Sequence, residues 1–130
     1  MIVGLGTDIV NIDRIEKLLE RNQDQFIDRV CTDEEKKYLL QSGANLKSKL
    51  AKIWAIKEAA VKALGTGFIQ GISFQDVELM HDKLGKPEIE FRGKAKEILL
   101  NKISNTQVNI IVSLSDDKPF AQAVVIIEKI

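Results

Sequence analysis

The sequence contains very little cysteine and histidine. Its 130 residues include one of each, Cys31 and His81. A lone cysteine excludes an internal disulfide and fits a reducing cytoplasm, where thiols stay reduced. We expect Cys31 to be a small packing residue rather than a nucleophile. His81 lies in a polar stretch and is expected to be exposed and without a chemical role.

The sequence also lacks an excess of charge and a long apolar run. Lysine plus arginine and aspartate plus glutamate both total 19, so the formal net charge is zero. This balance argues against a nucleic-acid binder that works by bulk electrostatics, although it does not exclude a local basic patch. No apolar run approaches the roughly 18 residues of a membrane span. The N-terminus has no basic leader and carries Asp8 early, so it does not resemble a signal peptide.

The order of the sequence patterns predicts an α+β fold in one domain, residues 1–130. The length and the 45% hydrophobic content suffice for one core but not for two. Extended segments are predicted at 2–10, 73–79, 88–91, 108–114 and 120–127, helices at 11–20, 32–41, 46–64 and 93–103, and turns at 42–49, 82–87 and 115–119. The clearest helix start is the capping box of Thr32 and Glu35. We expect the N-terminal strand and the helices to pack on a small antiparallel sheet, because helices cluster early and strands late.

The central helix is unusually poor in charge. From Ile53 to Gln75 the only charged residues are Lys57, Glu58 and Lys62, where a chain with 29% charged residues would place about six or seven. Such an apolar segment belongs in a core or an interface, where an unpaired charge is costly. The three charges therefore need partners, which could be one another, a ligand or a metal. The alternative is that Glu58 and Lys62, four residues apart, form an ordinary intrahelical ion pair.

Asp8 also needs a partner or a role, because aspartate is disfavoured inside an apolar strand. It could cap the helix that follows, or it could join Glu58 as an oxygen ligand of a hard cation such as Mg²⁺. In the second case Lys62, one turn after Glu58, would face the phosphates of a substrate. The glycines of Gly65–Gly67 would let a phosphate approach the backbone closely.

Two segments of the chain resemble the signature of the phosphopantetheinyl transferases. These segments are Gly4–Ile9 and, about fifty residues later, Trp54–Gly67. The chain length, Phe74–Glu78 and Gly85–Pro87 narrow the resemblance to the short bacterial type, the holo-[acyl-carrier-protein] synthases. The resemblance covers nearly the whole chain. It implies transfer of 4′-phosphopantetheine from coenzyme A to a serine of apo acyl carrier protein, in support of fatty acid biosynthesis, with release of adenosine 3′,5′-bisphosphate.

The resemblance also implies roles for individual residues. Asp8 and Glu58 would bind Mg²⁺, Lys62 would contact the pyrophosphate, and Glu58 would act as base, directly or through water. Further coenzyme-binding residues implied by the resemblance are Gly65, Thr66, Lys86, Pro87 and Ser113. Arg14 and Arg21 would grip the acidic helix of the carrier, although two arginines on a helix can also be an ordinary solvated face. A homotrimer with sites shared between chains is implied as well.

The chain departs from the family pattern at three positions. Ile53 stands where members often have arginine, and Ile111 and Asp116 stand where members have histidine. These departures leave open a non-catalytic paralogue that binds coenzyme A or the carrier. A metal-dependent nucleotide hydrolase is a third interpretation. The set Asp8, Glu58 and Lys62 favours the transferase, because a binding protein does not need metal carboxylates.

Overall fold

The computed structural model describes residues 1–41, 45–69 and 71–130, and this part of the chain contains five α-helices and five strands. The elements are β1 (Ile2–Asn11), α1 (Ile12–Arg21), α2 (Gln23–Val30), α3 (Asp33–Leu40), α4 (Leu46–Leu64), β2 (Val77–His81), β3 (Pro87–Phe91), α5 (Gly93–Ile103), β4 (Val108–Asp117) and β5 (Phe120–Lys129). The predicted α+β class is confirmed. None of the helices in these ranges is long and apolar enough to cross a membrane.

The strands form two antiparallel sheets. One has the order β1-β5-β4, and the other is the β2-β3 hairpin. Ala123 of β5 pairs with Asp8 on one side and with Leu114 of β4 on the other. The N-terminal strand is therefore an edge strand of the larger sheet, and α4 packs across it and across β5.

Two glycines bring β1 into backbone contact with α4. A Cβ atom built on Gly6 would lie 2.7 Å from the Ala63 nitrogen and closer still to the Ala59 carbonyl oxygen. A Cβ atom on Gly4 would collide with the Ala63 carbonyl oxygen in the same way. Only glycine allows so close an approach. The contact places Asp8, two residues after Gly6, beside the second half of α4.

The central helix is buried as its composition predicts. Eleven of its 19 residues are buried, among them Lys57, which is 0% exposed. The helix ends at Gly65, whose φ of 85° is a left-handed C-terminal cap. Lys57 finds its partner in Glu35 of α3, at 2.6 Å between Nζ and Oε1.

The outer face of the larger sheet is apolar and exposed. Leu5 and Ile9 of β1 are 61% and 63% exposed, Ile111 of β4 is 49% exposed, and Phe120 of β5 is 45% exposed. This face lies on the side of the sheet away from α4. Large exposed apolar patches usually mark an interaction surface.

Several sequence predictions of local structure are corrected. Helix α2 was not predicted, although Asn22 caps it by accepting a hydrogen bond from the Gln25 amide. The extended segment 73–79 begins as a 3₁₀ turn at Phe74–Asp76, and β2 follows it and runs on to His81. The predicted turn 115–119 is shorter, because β4 continues to Asp117. Residues 42–44 of the predicted turn 42–49 lie outside the described residues.

Candidate active site

The site begins with an ion pair between β1 and α4. The Lys62 ammonium donates to Asp8 Oδ1 at 3.1 Å and to the Thr7 carbonyl oxygen at 3.1 Å. The Asp8 side chain is 14% exposed and that of Lys62 is 50% exposed. The sheet therefore holds the carboxylate in a fixed place, while the lysine can reach into solvent.

Glu58 completes the site from the preceding turn of α4. It is half-buried, and its side chain makes no hydrogen bond among the described residues. Burial and the nearby Asp8 carboxylate raise the pKa of Glu58 above its ordinary value, while Lys62 and Arg14 oppose the rise. The Asp8 and Glu58 carboxylates therefore lie close enough to repel each other at a partly buried place.

The donor set fits a hard divalent cation. Carboxylate oxygens are the ligands that Mg²⁺ takes from proteins, usually one or two of them, and water and phosphate oxygens complete its coordination. Among the described residues, no group of three or more His, Cys, Asp or Glu side chains could hold a metal by itself. Asp8 and Glu58 thus suit a metal that shares its coordination with a phosphate substrate.

The two simpler interpretations of these residues are wrong. The residue that caps α1 is Asn11, whose Oδ1 accepts the Asp13 amide at 2.9 Å, so Asp8 is not the cap. The ion-pair partner of Lys62 within the described ranges is Asp8 rather than Glu58.

Arg14 lies close to this site on α1. Its guanidinium carbon is 5.6 Å from the centre of the Trp54 ring, which is a cation–π contact. Its charge also acts on the pKa of Glu58. Arg21 is exposed two turns further along the same helix and lines the same surface depression as Arg14 and Lys17. Both arginines are therefore available to a partner that approaches Glu58.

The backbone amides of the loop after α4 are already hydrogen-bonded, although its glycines predicted a backbone open to a phosphate. The Gly65 amide donates to the Lys62 carbonyl, and the Thr66 and Gly67 amides both donate to that of Val61. These amides cap the helix and are not free for a phosphate. Since the C-terminal end of a helix is its negative end, a phosphate here depends on the lysine for its charge balance.

A second basic cluster, which sequence reasoning missed, lines a cavity of about 450 Å³ between α4 and the β2-β3 hairpin. Its walls include Lys49, Lys52, His81 and Pro87. His81 is exposed as expected, but it ends β2 and stacks on Tyr38 with ring centres 4.7 Å apart. Burial, Lys52 and Lys49 lower the pKa of His81. Lys49 and Lys52 belong to α4 and His81 belongs to β2, so no local sequence pattern predicts that the three lie together.

The remaining coenzyme-binding candidates lie around this second cavity and on β4. Pro87, which lines the cavity, is the first residue of β3, Lys86 directly precedes that strand, and Ser113 is exposed at mid-β4. Ile111 and Asp116 are five residues apart on β4 and so point to opposite faces. Asp116 lies 3.6 Å from Lys52 Nζ, so it is partly neutralised rather than free to repel a phosphate.

The lone cysteine is buried as expected. Cys31 is 0% exposed, and burial raises the pKa of its thiol to about 12. It has no contact with the site built from Asp8, Glu58 and Lys62 that the structure records.

Comparison with known proteins places these observations in a family context. Residues 4–123 match the model of the 4′-phosphopantetheinyl transferase superfamily. The sequence is 47% identical over 130 residues to a holo-[acyl-carrier-protein] synthase of Vibrio cholerae serotype O1, with 99% of each chain covered. The fold matches the crystal structure of holo-[acyl-carrier-protein] synthase from Neisseria meningitidis with a TM-score of 0.86, at 38% identity over 99% of this chain and 100% of that chain. It also matches the Helicobacter pylori synthase in complex with coenzyme A, with a TM-score of 0.79 at 33% identity over 95% and 99% of the two chains.

Proposed function

The chain belongs to the 4′-phosphopantetheinyl transferase superfamily, among the holo-[acyl-carrier-protein] synthases, and from this premise we propose its reaction. Residues 1–130 act as one domain in the cytoplasm. The domain transfers 4′-phosphopantetheine from coenzyme A to a serine of apo acyl carrier protein, releasing adenosine 3′,5′-bisphosphate in support of fatty acid biosynthesis. The observation that carries the proposal is the meeting of Asp8, Glu58 and Lys62 at one point.

Asp8 and Glu58 hold Mg²⁺ in this proposal. When bound, the ion neutralises charge on the coenzyme A pyrophosphate, which is the main need of phosphoryl transfer. The rest of the work belongs to the side chains. Lys62 directs its ammonium to the same phosphates, since its half-exposed side chain can leave Asp8.

Glu58 accepts the proton of the attacking serine hydroxyl, directly or through a water. Its half-buried carboxylate at the edge of the site supports this role, because a base must lie within reach of the proton it accepts. The position of Arg14 supports the same arrangement. An acidic carrier helix that meets Arg14 and Arg21 brings its serine to the edge of the site where Glu58 lies.

The nucleotide end of coenzyme A is proposed to occupy the second cavity. Lys49, Lys52 and His81 supply positive charge there, and Pro87 supplies an apolar wall beside them. These residues offer cationic contacts in place of the arginine and the two histidines that this chain replaces with Ile53, Ile111 and Asp116. Lys86, Gly65, Thr66 and Ser113 remain candidates for the rest of the coenzyme.

A homotrimer is the proposed assembly. The exposed apolar face formed by Leu5, Ile9, Ile111 and Phe120 supports burial against other copies of the chain. The cavity of Lys52 and His81 is not lined by Asp8, Glu58 or Lys62. Such a division favours a site in which one chain gives the carboxylates and its neighbour gives part of the coenzyme pocket.

The experiment that tests the reaction is direct. The chain is incubated with apo carrier, coenzyme A and Mg²⁺, and the intact mass of the carrier is measured. We expect the carrier to gain one phosphopantetheinyl group. A carrier of unchanged mass, with coenzyme A binding retained in calorimetry, would instead identify the non-catalytic paralogue.

Two variants test the metal assignment. Asp8→Ala and Glu58→Ala should each abolish Mg²⁺-dependent transfer while the protein stays folded, because each removes a metal ligand. Glu90→Ala, an exposed carboxylate on β3, is the matched control and should transfer normally. Near-normal transfer by Glu58→Ala would show that both its ligand role and its base role are wrong.

A further inference from the structure

The proposed reaction leaves one charged group of the central helix unused. Lys57 is 0% exposed and its partner Glu35 is 1% exposed. Each of the three ammonium protons of Lys57 has an acceptor. These are Glu35 Oε1 at 2.6 Å, the Val30 carbonyl at 2.7 Å and the Phe74 carbonyl at 2.9 Å. The lysine is therefore held in one orientation.

Glu35 is fixed as fully as its partner. Its Oε1 also accepts the Thr32 amide at 2.8 Å, and its Oε2 accepts the Leu79 amide at 2.7 Å. The pair thus ties α4 to the end of α2, the start of α3, the 3₁₀ turn and β2. Four of its five hydrogen bonds end on backbone atoms of these elements.

A charged pair at this place needs a reason other than stability. An apolar pair of similar volume would leave four backbone groups without these partners, but it would avoid the cost of burying two charges, which offsets most of what their attraction returns. An apolar pair cannot fix the orientation of the helix in the way that hydrogen bonds do. Hydrogen bonds to several fixed backbone atoms set the rotation of α4 about its own axis, whereas apolar contacts let a helix roll slightly.

Rotation of α4 matters because Glu58 directly follows Lys57. A carboxylate carried about 6 Å from the helix axis moves by about 1 Å when the helix turns by about 10°. Metal ligands must be placed to within about 0.2 Å. Contact of Gly6 with Ala59 fixes the distance between α4 and β1, but it does not by itself fix this rotation.

We propose that Lys57 and Glu35 are positioning residues that hold α4 at the rotation in which Glu58 and Lys62 face Asp8. This inference rests on the proposed function, since it concerns the same metal and phosphate site. It assigns to a fully buried pair the alignment of the groups that would bind the metal.

The test compares metal binding with stability. The main variant is Lys57→Met with Glu35→Leu, which removes both charges and leaves neither unpaired. Leu50→Ala, at a fully buried position of the same helix, is the control for lost stability alone. Folding is followed by circular dichroism. Mn²⁺ binding in the presence of coenzyme A is followed by electron paramagnetic resonance, and transfer is measured over a range of Mg²⁺ concentrations.

The double variant should stay folded, bind Mn²⁺ about 10–100-fold more weakly, and need correspondingly more Mg²⁺ for half-maximal transfer. The Leu50→Ala variant should keep its metal affinity within about twofold while melting at a lower temperature. Should the double variant not fold, Lys57→Gln with Glu35→Gln decides by the same comparison, because it removes both charges and keeps polar atoms for the backbone partners.

Three results would overturn the inference. The first is a folded double variant with wild-type Mn²⁺ affinity and Mg²⁺ response, which would make the pair purely structural. The second is an equal loss of metal affinity in Leu50→Ala, which would tie the loss to stability. The third is a wild-type chain that binds no Mn²⁺, and this result alone would refute the metal site of the proposed function as well.

Discussion

Gly6→Ala tests whether the close approach of β1 to α4 is what places Asp8. The added Cβ atom would lie 2.7 Å from the Ala63 nitrogen and 2.9 Å from the Ala59 carbonyl carbon. Both distances are shorter than real Cβ atoms show, and both partners are helix backbone that cannot swing aside. The strand must therefore move away from the helix by about 1 Å or more.

The cost follows from that displacement. Overpacking of a core typically costs about 1–3 kcal/mol, and a clash with backbone falls at the upper end. For a chain of this length, 3 kcal/mol lowers the melting temperature by roughly 10 °C. The distance from Asp8 Oδ1 to Lys62 Nζ would grow beyond its 3.1 Å, which breaks the hydrogen bond. A misplacement of about 1 Å at a reacting site costs about 100-fold in rate.

The assay measures initial rates of carrier modification by mass, with saturating coenzyme A and Mg²⁺, beside thermal melting. Gly71→Ala is the matched control, because Gly71 has a φ of 82° and no atom within 4 Å of an added Cβ atom. That variant should lose about 1–2 kcal/mol of stability and keep its rate within about twofold. A Gly6→Ala protein with wild-type melting temperature and rate would refute the link between this contact and the site.

Three further predictions concern charge. Arg14→Glu with Arg21→Glu should raise the KM for the acidic carrier about tenfold and leave coenzyme A binding unchanged. An equal loss of coenzyme A affinity in calorimetry would place these arginines in the nucleotide pocket. Asp116→Asn should free Lys52 and tighten coenzyme A by about 1 kcal/mol, and unchanged affinity would mean that Lys52 does not meet the coenzyme. Because the folded-state pKa of Glu58 is raised, the metal-free protein binds more protons than its unfolded chain above about pH 4.5, so its stability falls as pH rises through that window. Glu58→Gln should flatten this fall in denaturant titrations, and an unaltered pH profile would contradict the pKa shift.

Two helices were predicted to the residue from local signals. The bounds of α4 and α5 follow from periodicity and, for α4, from the left-handed cap at Gly65. The capping box of Thr32 and Glu35 forms as its sequence pattern predicts. Helix α2 was missed because it has only eight residues and its cap, Asn22, lies one residue beyond the preceding helix.

The site itself was partly visible in the sequence. Asp8 and Glu58 stood out because a carboxylate in an apolar segment is costly, and that argument does not depend on the fold. The partner of Lys57 could not be predicted, since Glu35 is 22 residues away and already had a local role in the capping box. The cluster of Lys49, Lys52 and His81 was invisible for a similar reason. Only the packing of β2 against α4 brings these side chains together.

The burial of Cys31 has a consequence for a protein proposed to act on a thiol substrate. Coenzyme A carries a free thiol, and its oxidised forms exchange with any accessible thiolate. Because burial raises the pKa of the Cys31 thiol to about 12 and the side chain is 0% exposed, Cys31 offers almost no accessible thiolate at neutral pH. The folded protein should therefore not form a mixed disulfide between Cys31 and coenzyme A. Its activity should be insensitive to alkylating reagents.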